Sequence, residues 1–194
     1  MKWSILILTQ PSRVQFLDRL MRRLAPQLKD DIELTASYSV TEKSLGENRY
    51  DMMKRAKGEY VNFVDDDDMV SPRYVESIYP LLDGVDYIGF PVQVYRDGVY
   101  LQTAYHSLKH KDWKAIDQIA YRDISHLNPM RRELALQATM EGGFGEDGRW
   151  AQKIRELGIV KTEHYVPETM YFYYMRTNKC EHLSPALQGS SAHI

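Results

Sequence analysis

One cysteine, Cys180, is all that the sequence contains. It can close no intramolecular disulfide and build no multi-cysteine zinc site, which suits a reducing compartment. Long apolar runs are missing too. Near the start the longest is Ile5–Leu8, far short of a signal-peptide core or of the roughly 20 residues that span a bilayer. The expectation is a soluble, cytoplasmic protein. Neither charge sign dominates: 25 Lys and Arg face 27 Asp and Glu, for a net charge of −2 and a pI near 6.3. That excludes a global attraction to nucleic acid or to an anionic membrane, though not a local basic patch. The 6 histidines are scattered along the chain, and a separate zinc site is not expected. Internal repeats and domain linkers are absent. The 194 residues, 43% hydrophobic and 27% charged, suit one globular domain over 1–183, with 184–194 as a loose tail.

What is present is an alternation of buried strands and amphipathic helices. Trp3–Thr9 (WSILILT) is a continuous apolar run, expected of a strand covered on both faces. Val14–Leu28 repeats apolar residues at a helical period. Ile32–Tyr38 and Tyr60–Val64 read as further strands, and Arg49–Lys57 as a helix stopped by Gly58. Pro72–Leu82 reads as a helix with Ser71 as its N-cap. This β-α-β-α-β-α order predicts an α/β fold with an open, mostly parallel central sheet flanked by helices. Tyr87–Tyr95 and Val99–Tyr105 then flank Arg96-Asp97-Gly98, the signature of a small β-hairpin insertion. Asn128-Pro129 predicts the start of a helix over Arg131–Met140. EGGFGEDG reads as a flexible loop feeding a last helix to about Leu157, and Tyr171–Met175 as a final strand.

Two acidic features stand out. VNFVDDDDMV sets four consecutive aspartates, Asp65–Asp68, directly after a buried strand. In open α/β sheets ligands bind beyond the carboxyl ends of strands. Carboxylates about 6 Å apart repel by roughly 3 kcal/mol at an effective dielectric near 20, so the four either splay into water as an acidic turn or share a cation. Hard oxygen ligands suit Mg²⁺ or Mn²⁺. The other feature is Glu146-Asp147, where an Asp at a helix start serves as a cap, as a base, or as both. Arg49, Arg131 and Arg132 read either as solvated helix arginines or as anion partners, and Thr9, Gln10 and Arg13 as turn residues or ligand contacts. Tyr171, Tyr173 and Tyr174 read as core and rim of a strand, with a sugar-stacking platform as the other reading.

Taken together, WSILILTQPSRVQFLDRLMRRL, LGENRYDMMKRAKGEYVNFVDDDDMVSPRYV and FGEDGRWAQKIRELG resemble family 2 glycosyltransferases of the GT-A fold, across residues 3–176. HSLKHKDW and HLNPMRRELAL are similar to a compact subgroup found in phage and bacteria, which would place the protein in host cytoplasm if phage-encoded. The resemblance implies a metal-dependent transfer from a nucleotide-sugar donor to an acceptor hydroxyl, with inversion and with Mn²⁺ or Mg²⁺ as cofactor. It implies Asp67 and Asp65 as metal ligands, Asp65 also toward the nucleotide, and Asp66 and Asp68 as supports. Asp147 takes the role of general base, and Glu146 supports it or contacts acceptor. Thr9, Gln10, Arg13, Arg49, Asn128 and Arg132 are implied at the donor, and His164 or His182 as a late metal ligand.

The sequence also departs from that family. Its acidic run after the second strand, which reads a uracil base, is replaced here by TASYSVT (residues 35–41), so a uridine donor is not implied. Tyr50 stands where the family usually has Asn. Little chain follows Glu146-Asp147, and no dedicated acceptor domain is visible. A sugar-nucleotide pyrophosphorylase would want a glycine-rich loop after the first strand, which TQPSR lacks. A non-catalytic nucleotide-sugar or carbohydrate-binding protein is the alternative, against which Asp65, Asp67 and Asp147 argue. The acceptor is expected to be a saccharide or glycan precursor, or a modified base in DNA.

Overall fold

The protein is described here from a computed structural model, which covers residues 1–110 and 113–176. Cys180, His182 and the expected tail lie outside the described residues. Strand β1 (Trp3–Thr9) opens the chain, followed by a 3-10 turn and helix α1 (Val14–Leu24). The helix stops short of the expected Leu28 because Pro26 cannot continue it, and a 3-10 turn over Ala25–Gln27 takes over. Next come β2 (Ile32–Tyr38), α2 (Leu45–Arg55) and β3 (Tyr60–Phe63). Helix α2 begins earlier than the expected Arg49: Ser44 caps it, accepting from Glu47 N while the Glu47 carboxylate accepts from Ser44 N. That reciprocal pair is a capping box, written in the sequence as Ser44-x-x-Glu47.

After the aspartates come β4 (Met69–Val70) and α3 (Tyr74–Ile78). Helix α3 is shorter than expected, and Ser71 Oγ accepts from Arg73 N instead of capping the first helical turn. Strands β5 (Tyr87–Arg96) and β6 (Val99–His106) form the anticipated hairpin, with Asp97 and Gly98 at φ 50° and 81°. Those paired positive φ values match a two-residue type I′ turn. Strands β7 (Lys114–Ile116) and β8 (Ile119–Arg122) follow, neither anticipated from the sequence.

The expected helix at Asn128-Pro129 is not formed. Met130–Arg131 make a short strand, β9, wedged antiparallel between β3 and β5, and α4 is confined to Arg132–Ala135. Asn128 is instead a buried tie, accepting from His106 Nδ1 at 2.7 Å and donating to Ile88 O at 3.0 Å. The chain ends its described part with α5 (Glu146–Leu157), β10 (Glu163–Tyr165) and β11 (Tyr171–Met175).

β1 lies one strand in from the β2 edge of the sheet, with β2 and β3 parallel on its two sides. Its alternating side chains explain why it is apolar throughout. Trp3, Ile5 and Ile7 enter a core with Leu20 and Leu24 of α1 and Ile78 of α3. Leu6 enters a second core with Met52 and Met53 of α2 and Trp150 and Ile154 of α5. Helices thus cover both faces, and β1, β2 and β3 all release their carboxyl ends toward one edge. Strand β11 runs parallel to β5 and antiparallel to β4, which brings its tyrosines beside the aspartate turn.

Candidate active site

At that edge the structure forms a cavity of about 700 Å³, within the usual range for small-molecule sites. The four aspartates leave β3 into it and take four different environments. Asp68 is fully buried, accepting from Tyr171 Oη at 2.8 Å and from Tyr174 N at 2.8 Å. Burial, with the charges of Asp65 and Asp67 added, pushes its carboxyl well above the ordinary range. Asp68 therefore anchors β11 rather than facing ligand. Asp66 is also buried, accepting from Thr9 Oγ1 at 2.6 Å and from Arg13 at 2.5 Å. Burial raises its carboxyl against the pull of Thr9 and Arg13. Asp67 keeps 27% of its side chain exposed and pairs with Arg13 at 2.6 Å and Arg176 at 3.1 Å.

Asp65 turns the other way, toward Arg49 at 2.5 Å. The same guanidinium reaches Glu146 at 2.6 Å, so a residue of α2 ties the aspartate turn to the first turn of α5. Arg49 is buried. Burial disfavours its charge, but Asp65, Glu146 and Asp147 outweigh that and raise its pKa. Asp147 follows Glu146 in the first helical turn, while Gly145, at φ 83°, occupies the cap position. The first turn is reached through a loop whose Gly142 also has a positive φ of 80°, a conformation that glycine adopts without strain.

The residue that joins the two acidic features was not anticipated. His126 is buried between them, Nδ1 at 3.3 Å from Asp147 and Nε2 at 3.7 Å from Asp65. Neither ring nitrogen is aligned for a hydrogen bond, so each contact becomes an ion pair when the ring is protonated. Burial and Arg49 lower the imidazole, yet Asp147 and Asp65 outweigh them and raise its pKa. In return, burial raises both carboxyls, but Arg49 and His126 hold Asp65, and His126 and Arg49 hold Asp147, below the usual range. The result is a carboxylate on the cavity wall that stays ionised at neutral pH.

Most expected residues gather here: Thr9, Gln10, Arg13, Arg49, Asp65, Asp66, Asp67, Glu146 and Asp147 all line the cavity. Asn128 and Arg132 do not. Asn128 is taken up by His106 and Ile88, and Arg132 donates to Gly58 O at 3.2 Å, before the amino end of β3 and away from the aspartates. His164 lies exposed on β10. Tyr171 is core, holding Asp68 and accepting from Asp65 N at 3.0 Å, whereas Tyr173 lines the cavity. Ser39, at the end of β2, lines it where the uracil-reading acid was missing. Besides His126, the sequence reading missed Arg96, Arg122 and Arg176, because no spacing rule connects positions so distant in the chain.

Among the described residues, no group of three or more His, Cys, Asp or Glu side chains is arranged to hold a metal ion. Hard divalent cations are, however, commonly held by one or two carboxylates with phosphate oxygens completing the shell. Asp67, open to the cavity, and Asp65 offer that donor chemistry. A cation there would share or displace the guanidiniums now bonded to Asp67.

Also among the described residues, no helix is long and apolar enough to cross a membrane. The family model described as Glycosyl transferase family 2 matches residues 16–139. Among solved structures, residues 1–349 of S. aureus TarS align with a TM-score of 0.66 at 16% identity, over 90% of this chain and 60% of that one. The same protein in complex with UDP-GlcNAc gives 0.65 at 17%, over 100% and 62%. A longer TarS chain gives 0.63 at 15%, over 90% and 37%. At these identities the likeness is one of fold, and this chain spans about six tenths of the 1–349 structures. No curated protein matches the sequence significantly.

Proposed function

The chain belongs to glycosyl transferase family 2 and has the family's GT-A fold, and on that premise we propose that it transfers a sugar from a nucleotide-sugar donor to an acceptor hydroxyl, with inversion. The carrying observation is Asp147, an ionised carboxylate on the wall of a cavity that also holds Asp65 and Asp67 at the carboxyl ends of parallel strands. The TarS structure with UDP-GlcNAc supports a nucleotide-sugar as the donor class. The sugar can be a hexose or a pentose. The acceptor is a saccharide or glycan precursor, with a modified DNA base as the rarer case, and residues 1–183 act as one catalytic unit in the cytoplasm.

In this reading Thr9, Gln10 and Ser39 border the nucleotide and Asp65–Asp67 the diphosphate. A divalent ion, Mn²⁺ or Mg²⁺, held by Asp67 and Asp65 would supply positive charge to the leaving diphosphate. Arg13 and Arg176, already beside Asp67, add further positive charge where that charge develops. Asp147 accepts the proton of the acceptor hydroxyl while the hydroxyl oxygen bonds to the anomeric carbon and the bond to the diphosphate oxygen breaks. Because His126 and Arg49 keep its pKa low, Asp147 is a weak base suited to a late proton transfer, when the attacking oxygen already carries positive charge.

The test is a panel of nucleotide sugars with Mn²⁺ or Mg²⁺, read by thermal shift and by donor hydrolysis. A metal-dependent shift that vanishes in Asp67→Ala is expected. Asp147→Asn is expected to keep donor binding and lose transfer by roughly 10²–10⁴-fold. Absence of any donor-induced shift with metal present would sink the transferase reading, and retained turnover in Asp147→Asn would sink only the assignment of the base.

A further inference from the structure

The cavity guanidiniums are not equivalent. Arg13, Arg49 and Arg176 each bond a carboxylate of the aspartate turn or of Glu146. Arg122 lines the same cavity without a carboxylate partner among the described residues. Its neighbour in sequence, Asp123, cannot serve. That carboxylate is buried and bound through both oxygens by Arg155 and by Trp113 Nε1 at 2.7 Å. Arg122 instead lies over the Trp113 ring, 4.5 Å from its centroid.

Its location gives that pair a use. A methyl placed on Gly148 would stand 3.7 Å from the Trp113 ring, so the indole lies against the first turn of α5, next to Asp147. Of that pair, it is Arg122 that lines the cavity. Arg96, the other cavity arginine without a carboxylate partner among the described residues, belongs to a different region. Arg122 aligns with His106 and hence with Phe90, and Arg96 lies six residues further along β5, about 20 Å away. Among the described residues, Arg122 is thus the cavity guanidinium on the Asp147 side that has no carboxylate partner.

A guanidinium stacked on an aromatic face keeps its N–H edge available for an oxyanion. The partly exposed indole beside it offers the apolar surface that the C–H face of a sugar ring prefers. We propose that Arg122 and Trp113 form an acceptor subsite for a saccharide carrying an anionic substituent, a phosphate or a carboxylate. Trp113 receives the ring, and Arg122 receives the charge. The assignment as an acceptor subsite rests on the transferase reading above.

Binding can be tested without catalysis. Trp3 and Trp150 are buried, 0% and 2% exposed, whereas Trp113 is 40% exposed, so ligand-induced changes in tryptophan emission report mainly on Trp113. The full chain is titrated with glucose 6-phosphate, glucuronate, glucose and inorganic phosphate. Both anionic sugars are expected to bind at least about tenfold more tightly than glucose, a difference of about 1.4 kcal/mol, and more tightly than phosphate. Arg122→Gln should erase the advantage over glucose, and Arg122→Lys, which keeps the charge without the planar stack, should retain part of it. The two sugars separate the sources of the oxyanion: a response to one alone assigns phosphate or carboxylate.

Equal responses to glucose and its charged analogues, or none at all, overturn the subsite. So does an unchanged preference in folded Arg122→Gln. Phosphate binding as tightly as the sugar phosphate removes the role of the ring, and a single-stranded oligonucleotide that outcompetes both sugars replaces the saccharide. The two readings fail separately. Donor turnover without charge discrimination overturns the subsite alone, whereas discrimination without any donor binding overturns the transferase and leaves an anionic-saccharide site.

Discussion

His126 stands 3.3 Å from Asp147 through Nδ1 and 3.7 Å from Asp65 through Nε2, so one imidazole ring faces both acidic features of the site. It acts through Asp147, as a positioning and charge-setting residue. Replacing it by Gln removes the cation that holds the Asp147 carboxyl low. The Asp147 pKa should then rise toward the ordinary value near 4, and the acid limb of the kcat/KM profile should move to higher pH. A purely structural role would lower kcat/KM evenly across the profile, and an unshifted acid limb in folded His126→Gln would refute the coupling.

The same cluster sets the pH dependence of stability. Asp65 and Asp147 have depressed folded pKa values, so their contribution is present above about pH 4 and disappears as pH falls through the folded values. His126 has a raised folded pKa, so its contribution is full below about pH 6.5 and is lost as pH climbs through the raised value. The melting temperature in chelator should therefore peak between about pH 4 and 6.5 and fall on both sides. Asp147→Asn should flatten the acid side and His126→Gln the alkaline side. A wild-type curve flat from pH 5 to 9 would contradict the His126 part.

How much of this was legible in the sequence depended on the range of the interaction. β1 and β11 begin and end where their apolar runs do, because strand burial is written locally. The aspartate turn and Glu146-Asp147 were legible because each is contiguous. His126 was not, since nothing within a few residues of it marks a partner at Asp65 or Asp147. Asn128-Pro129 misled for a related reason. It has the form of a helix start, but the site for its amide lies between His106 and Ile88, and that long-range demand turned the segment into β9. Arg49 shows the intermediate case: an ordinary helix arginine by composition, it is buried only because α2 packs beside α5.

The four aspartates should answer isosteric substitution differently. Burial and two neighbouring negative charges raise the Asp68 carboxyl, and it only accepts from Tyr171 and Tyr174. Asparagine keeps one acceptor, for Tyr174 N, removes the buried charge and turns the other contact round so that its Nδ2 donates to Tyr171 Oη, so Asp68→Asn should cost no more than about 1–2 kcal/mol of stability and keep donor binding. Asp67→Asn changes a carboxylate paired to Arg13 and Arg176 at the cavity and should abolish metal-dependent donor binding while melting near wild type. Urea melts and donor titrations on the two variants decide this, and the reverse ranking in donor binding would exchange their roles.

Gly46 tests whether the seating of α2 sets the site. Its amide donates to Gly142 O at 2.9 Å, fastening α2 to the loop that carries Glu146 and Asp147. A methyl there would stand 2.5 Å from Glu141 N and 2.6 Å from its Cα, both backbone atoms with no rotamer to adopt. The loop and α2 must then separate, and the Arg49 bridge from Asp65 to Glu146 spans that seam. Gly46→Ala should cost about 1–3 kcal/mol despite the better helix propensity of alanine. It should also lower transfer more than donor binding, because Asp67, Asp66 and Arg13, the residues proposed for the donor, lie off the seam. A stabilised variant with full activity would show that the loop gives way freely and that Arg49 does not depend on the approach of the two segments.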